Sequence, residues 1–311
     1  MNYVELYQAI QDYTEDTEAL FVANIPTFVK QAESRIYNSV NMPALRKNVL
    51  GNLTVGNGYL SLPNDWLSTY SIAVTDLDGN VTFLLNKDFS YLKEAYPTLA
   101  AAGLPKYYAM FGSQYTDVNE LSYALGPIPD QNYGVILSYF YYPPTIVQGE
   151  IATFGATITG GTNYSPGVYI NVPLTGGSGM GATANIVVSN TGAVTSVELD
   201  NGGQFYVVGD VLSASTSYLG IAGANFSVTV ATVTNASGRS WLGDNYDPVL
   251  FYGAMREAML FMKGEQDLIS YYEQKFTEAM GMLKRLGDGL ERGDAYRDGQ
   301  LKIDVSGGAR S

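Results

Sequence analysis

Any chemistry in this chain has to run on carboxylates, lysine or tyrosine. It holds 30 Asp and Glu residues and 17 Lys and Arg, with neither His nor Cys. Without His the commonest general base and metal ligand is gone, which removes Ser-His-Asp, Cys-His and His-zinc sites. Without Cys there is no disulfide and no thiolate site. Two carboxylates suffice for glycoside hydrolysis. But 30 acidic residues guarantee chance pairs, and none sits in an apolar setting that marks a raised-pKa acid. Asp76 and Asp78 lack the further ligands of a calcium loop and read as turn residues. The glycines of "TGGSGMGATANIVV", from Thr175, have neither the Lys nor the following helix of a phosphate-cradling loop. No catalytic residue, metal site or cofactor is expected.

The charge distribution bears on partners. The net charge is −13, and no basic residue lies between Lys106 and Arg239. Asp117, Glu120, Asp130, Glu150, Glu198, Asp200 and Asp210 fall in that interval. Gripping phosphate requires Lys or Arg, so this region is a poor nucleic-acid binder, and it would equally suit a surface that DNA slides past. No apolar run approaches the length of a membrane span. The start, "MNYVELYQAIQDYTED", lacks the basic and apolar regions of a signal peptide. A soluble protein that folds where it is made is expected.

The elements that would carry these residues follow from periodicity. Residues 3–40 read as two helices. The first has Val4, Leu6, Tyr7 and Ile10 on its stripe. The second has Phe28, Val29, Ala32 and Ile36, with Pro26 in its first turn and Glu33 mostly off the stripe. From about residue 48 the period changes to alternation. Hairpin turns are predicted at Gly56-Asn57-Gly58 and at Asp78-Gly79, with further strands in "PKYYAMFG", "ELSYALGP" and "GVILSYFYYPP". Residues 149–237 are nearly uncharged and rich in Gly, Thr, Ser, Asn and Val. Their alternating stretches "ANIVVS", "AVTSVELD", "FYVVGDVLSA" and "NFSVTVATV" predict a folded all-β module rather than a linker. Helical period returns in "DNYDPVLFYGAMREAMLFMKG", with Asp247 as N-cap and Pro248 at the first helical position. A last helix carries Leu268, Tyr272, Phe276, Met280 and Leu283.

Four stretches in order, "IPTFVKQAESRIYNSVNM", "YLSLPNDWLSTYSIAV", the apolar strand in "GPIPDQNYGVILSYFYYPPTI" and the run from Trp241, resemble the head-to-tail adaptor (head-completion, neck) proteins of tailed bacteriophages. Ala32, Glu33, Arg35 and Ile36 match that family's "A-E-x-R-I". Leu62, Pro63, Asp65, Trp66 and Leu67 match "L-P-x-D-[FW]-L". Trp241, Leu242, Asp247, Pro248, Leu250, Tyr252, Gly253, Ala254, Glu257 and Ala258 match its C-terminal pattern, where "Y-D-P-V-L" departs from the family's "P-D-L-Y-L". The resemblance covers residues 1–147 and 238–286. The β-module resembles glycine-rich β-domains spliced into phage virion proteins.

The expected fold is α+β: a helical bundle built from both chain ends with β-hairpins and a small sheet, plus an inserted all-β domain. The expected domains are a discontinuous adaptor core (1–148 and 238–286), the inserted β-domain (149–237) and an extended C-terminal arm (287–311). Gly-Asp and Asp-Gly steps end the last helix near residue 286. The resemblance implies a structural virion protein, not an enzyme, made in the host cytoplasm and placed at the head-tail junction. It implies a twelve-fold ring of copies beneath the portal protein and above a tail or nozzle protein. DNA would pass through the lumen without specific binding, and no membrane would be involved. In "LKIDV", Leu301, Ile303 and Val305 share one face of an extended segment; with the resemblance, they become the apolar anchors of an arm docked on the portal. Two other readings stay open. One is a cell-wall glycan hydrolase. The other is glycan-binding decoration, resting on Tyr164, Tyr169, Phe205, Tyr206 and Tyr218 as exposed aromatics.

Overall fold

The computed structural model describes residues 1–97, 101–112, 121–220 and 224–297. The fold is α+β, and its contacts divide it into two units: Met1–Ser39 with Pro144–Arg285, and Val40–Pro143 with Leu286–Ser311. Residues 149–237 thus stand in one unit with the helices on either side of them.

In the first unit, α1 (Tyr3–Thr14) opens with a capping box. The Asn2 side chain accepts from the Glu5 amide, and the Glu5 carboxylate accepts from the Asn2 amide. Its buried stripe is Tyr3, Leu6 and Ile10, whereas Val4 is exposed. The second helix, α2 (Ala19–Ser39), starts seven residues before Pro26, which is buried inside it rather than in its first turn. Proline lacks an amide hydrogen, so the Val22 carbonyl loses its helical partner. Gln204 supplies one, donating from Nε2 to the Val22 oxygen at 3.4 Å. A side chain from a strand thereby repairs the break, and the helix can start early.

After two short helices, α4 (Thr216–Leu219) and α5 (Trp241–Asn245), the chain enters α6 (Asp247–Phe261), which packs on both α1 and α2. The α2 contact is close: a Cβ on Gly253 would lie 3.0 Å from the Ala32 Cβ and 3.0 Å from the Phe276 ring. Phe276 belongs to α7 (Gln266–Arg297). This last helix passes Gly287 and continues to Arg297, beyond the end predicted from its glycines. Three glycines there each cost about 1 kcal/mol, but Leu, Glu, Arg and Ala between them favour the helix.

The same unit holds a six-stranded sheet of β9 (Glu150–Thr159), β10 (Gly167–Gly176), β11 (Met180–Val188), β12 (Val194–Gln204), β13 (Val211–Ala214) and β14 (Ser227–Thr234). Their order is β12-β11-β10-β13-β14-β9. The sheet nearly closes on itself, because its end strands meet: a Cβ on Gly202 would sit 2.5 Å from the Ile151 carbonyl. Ala184, Ile186, Leu212, Phe226 and Val228 fill the interior. Alternation predicted β11, β12 and β14 and, within "FYVVGDVLSA", β13, whose strand begins only at Val211, but β9 and β10 were not expected. In β10 a register shift between Tyr169 and Val172 breaks the period of two.

The second unit has two four-stranded sheets. One, ordered β1-β8-β3-β4, contains β1 (Arg46–Asn52), β8 (Gly134–Tyr141), β3 (Trp66–Thr75) and β4 (Val81–Phe83), all antiparallel. The other, ordered β2-β7-β6-β5, contains β2 (Tyr59–Ser61), β7 (Ser122–Gly126), β6 (Tyr107–Phe111) and β5 (Leu85–Asn86). Ile72, Val74, Tyr123, Leu125, Val135 and Leu137 belong to their shared core. The Asp78-Gly79 hairpin forms between β3 and β4 as predicted. Gly56-Asn57-Gly58 does not close a hairpin: β1 pairs with β8 and β2 with β7, so this turn carries the chain from one sheet to the other. A short helix, α3 (Phe89–Ala95), capped by Asp88, was also not foreseen.

Candidate functional site

The most perturbed carboxylate among the described residues is Glu33, in the next-to-last turn of α2. It is 4% exposed. Its Oε2 accepts from the Thr145 hydroxyl at 2.6 Å and its Oε1 from the Ile146 amide at 2.8 Å. Burial pushes its carboxyl up to about 7, against the pull of those two bonds and of Lys30; Glu150 adds to the rise. Lys30 is itself ion-paired with Glu150. Near pH 7 Glu33 has the affinity of a proton-transfer group. Its geometry is that of a clamp, since both oxygens are committed to the segment at Thr145 and Ile146. Neither cleft described in the protein is lined by it. One, of about 280 Å³, runs along Tyr59, Phe89, Lys93 and Tyr96. The other, of about 360 Å³, runs along Tyr13, Pro248, Phe251 and Tyr252. Among the described residues no group of three Asp or Glu converges as a metal site.

An ion network ties three helices. Arg256 of α6 bonds to Glu273 of α7 and, at 2.5 Å, to Glu257. Arg35 of α2 lies 3.6 Å from Glu273 and 3.9 Å from Glu257, with its guanidinium 5.5 Å from the Phe276 ring centre. In the second unit Asp65 plays a comparable part. Its Oδ1 accepts from the Tyr139 hydroxyl at 2.8 Å and its Oδ2 from Lys47 Nζ at 2.5 Å. Partial burial raises its carboxyl, but the bonds from Lys47 and Tyr139 outweigh that and leave it below the usual range. Burial and then the Asp65 bond push Tyr139 up to about 12. The Asp65 carbonyl also accepts from the Tyr142 amide at 2.7 Å. Motif residues therefore act as joints: Glu33, Arg35 and Glu257 in one unit, Asp65 in the other.

Residues 1–170 match the family model described as SU10 adaptor protein. The chain belongs to this family. The matched span includes the motif residues from Ala32 to Ile36 and from Leu62 to Leu67, and it ends within β10 of the SU10 adaptor fold. It does not reach Trp241–Ala258 or most of the six-stranded sheet. No curated protein matches the chain. Membership makes this a phage structural adaptor protein that interacts with other head-tail proteins, a component of the virion. No helix among the described residues is long and apolar enough to cross a membrane.

The residues singled out from sequence fall in different places. Asp247 is the first residue of α6, with Tyr246 ahead of it, and it makes no capping hydrogen bond. The reason is that α5 runs straight into α6, and the Tyr246 amide donates back to the Leu242 carbonyl. The Asp247 carboxylate lies 4.0 Å from the Met1 amino group instead, and Pro248 follows in the first turn. Leu301, Ile303 and Val305 lie outside the described residues. Of the five aromatics considered for glycan binding, Tyr164 and Tyr206 are core residues, each 2% exposed. Phe205 packs on Tyr3 and Tyr7, and the Tyr169 hydroxyl donates to the Ser165 carbonyl. Tyr218 is exposed. Packing within the sheet, or for Phe205 against α1, rather than display to solvent, explains four of the five.

Gln204 was not legible as a key residue. It is fully buried, and its Oε1 accepts from the Tyr3 hydroxyl at 2.5 Å while its Nε2 serves Val22. The one available signal was Pro26, whose missing amide demands a donor for Val22.

Proposed function

We propose that this SU10 adaptor protein forms a ring beneath the portal, joins head to tail and continues the DNA channel. The single observation behind this is the family match over residues 1–170, whose charged motif residues are spent on holding helices and strands together. No role in catalysis is proposed for them. In this reading the copies of the chain are one another's neighbours in the ring, the portal protein lies above and a tail or nozzle protein below. The excess of carboxylates and the long interval without Lys or Arg support a channel that does not hold DNA back. The site of action is the virion neck. Mass spectrometry of purified virions tests the role, and absence of the protein from them refutes it. Electron-microscopy class averages of the purified protein test the ring separately.

A further inference from the structure

The sheet ordered β1-β8-β3-β4 has two unpaired edges among the described residues, and both expose large apolar side chains. On β1, Leu50 is 76% exposed; on β4, Phe83 is 65% exposed. Bare apolar edges of this kind invite another strand, and proteins normally blunt them with charge or proline. Neither strand contains proline. The two cations on β1 are engaged elsewhere: Lys47 Nζ is bonded to Asp65 and lies 3.9 Å from the Tyr141 ring centre, while the Arg46 guanidinium sits 4.0 Å from that of Tyr70.

The registers of the two edges correspond. Leu50 pairs with Ile136, Ile136 with Ala73, and Ala73 with Phe83. Leu50 and Phe83 therefore end the same row of the sheet and point to the same face. The next rows run Gly51–Val135–Val74–Thr82 and Asn52–Gly134–Thr75–Val81. All neighbours are antiparallel and the strands are four, so a second sheet placed in line would bring its β1 antiparallel to β4. A Cβ at Gly51 would meet nothing within 4 Å, which leaves the middle row open to Thr82.

We propose that the β4 edge of one copy pairs with the β1 edge of the next, with Phe83 against Leu50, so that this sheet runs on from copy to copy. It rests on the ring reading above, and it supplies the head-to-tail contact that a closed ring requires. Recognition is by backbone amides and carbonyls, with an aromatic–aliphatic cross-strand pair to fix the register. β4 has three residues. Such a ladder covers far less than the ~800 Å² per partner of a standard interface, so it sets register while other surfaces add area.

The absence of cysteine makes the test direct. Leu50→Cys and Phe83→Cys are made singly and together; both positions are on the surface, and circular dichroism checks folding. Within one copy the two positions are three strand spacings apart, about 14 Å, beyond the ~7 Å Cα separation a disulfide tolerates. On oxidation the double variant should give a ladder of disulfide-linked oligomers on a non-reducing gel. An equimolar mixture of the single variants should give linked dimers only, and each single variant alone should stay unlinked. Linking by Leu50→Cys alone would mean that β1 meets β1, and the proposal falls. Rings by electron microscopy without links in the double variant would also overturn it, while the ring reading survives. A protein monomeric at all concentrations would refute this pairing, with virion mass spectrometry still deciding the adaptor role.

Discussion

Replacing Glu33 with Gln should make the protein more stable at pH 8, although it removes a charge that accepts two hydrogen bonds. The carboxyl sits at about 7 in the folded chain against an ordinary value of 4.5, chiefly because of burial. A raised carboxyl binds its proton more tightly folded than unfolded. Its contribution is therefore fully present below pH 4.5 and is lost as pH rises through 7. At about 1.4 kcal/mol per unit, that interval sets an upper limit of about 3 kcal/mol. Gln keeps the shape. Its oxygen can accept from the Ile146 amide and its nitrogen can donate to the Thr145 hydroxyl oxygen, with no charge to desolvate. Allowing for the weaker neutral bonds, a gain of about 2 kcal/mol at pH 8 is expected, or roughly 4–8 °C in melting temperature for a domain of this size. The assay is thermal melting of both proteins from pH 4.5 to 8. The chain has no histidine, so little else titrates in the upper part of that window. Wild-type stability should fall across it, and the Glu33→Gln profile should be flatter. A variant that melts lower than wild type at pH 8, with the same slope, would show that the charged clamp is worth more than its desolvation costs.

Other substitutions probe the joints. Gln204→Leu should cost about 1–3 kcal/mol, the penalty for leaving the Tyr3 hydroxyl and Val22 carbonyl unsatisfied; chemical denaturation measures it, and an unchanged midpoint means water replaces the amide. Gly253→Ala should destabilise by about 1–3 kcal/mol through overpacking against Ala32 and Phe276, and a companion Ala32→Gly should recover part of the loss in a double-mutant cycle. Asp65→Ala should cost about 1–3 kcal/mol by stranding the buried Tyr139 hydroxyl. Adding Tyr139→Phe should lessen that penalty, and a denaturant series on the two variants would detect it.

Periodic segments were legible because one face alone determined them. The stripe of Phe28, Val29, Ala32 and Ile36 is buried as predicted, and so is that of Tyr272, Phe276, Met280 and Leu283, whereas Leu268, in the first turn of the same predicted stripe, is exposed. Boundaries were less so. Pro26 reads as a helix start because its lost hydrogen bond is local, whereas the donor that compensates for it comes from Gln204. The strands β9 and β10 escaped notice for a related reason: exposed stretches on both faces and a register shift erase alternation. Glu33 looked like a surface residue because helical spacing placed it off the stripe. Its burial depends on Thr145 and Ile146, more than a hundred residues on, which no local window contains. Asp247 illustrates the opposite error: an Asp-Pro step is a good local start signal, but α5 already occupied the cap position.

The repair of α2 by Gln204 also sets an order of events during synthesis. Pro26 leaves the ribosome early, and Gln204 is made nearly 180 residues later. At bacterial translation rates of ~5–20 residues per second, that is a delay on the order of ten to thirty seconds. Throughout it the Val22 carbonyl has only water to bond, and the amino-terminal half of the helix lacks its final partner. The first turns of α2 should therefore stay labile on the nascent chain, reaching native protection only when β12 is complete. Pulse-labelled hydrogen exchange on stalled chains of increasing length would show that step only once the chain is long enough for Gln204 to have left the ribosome.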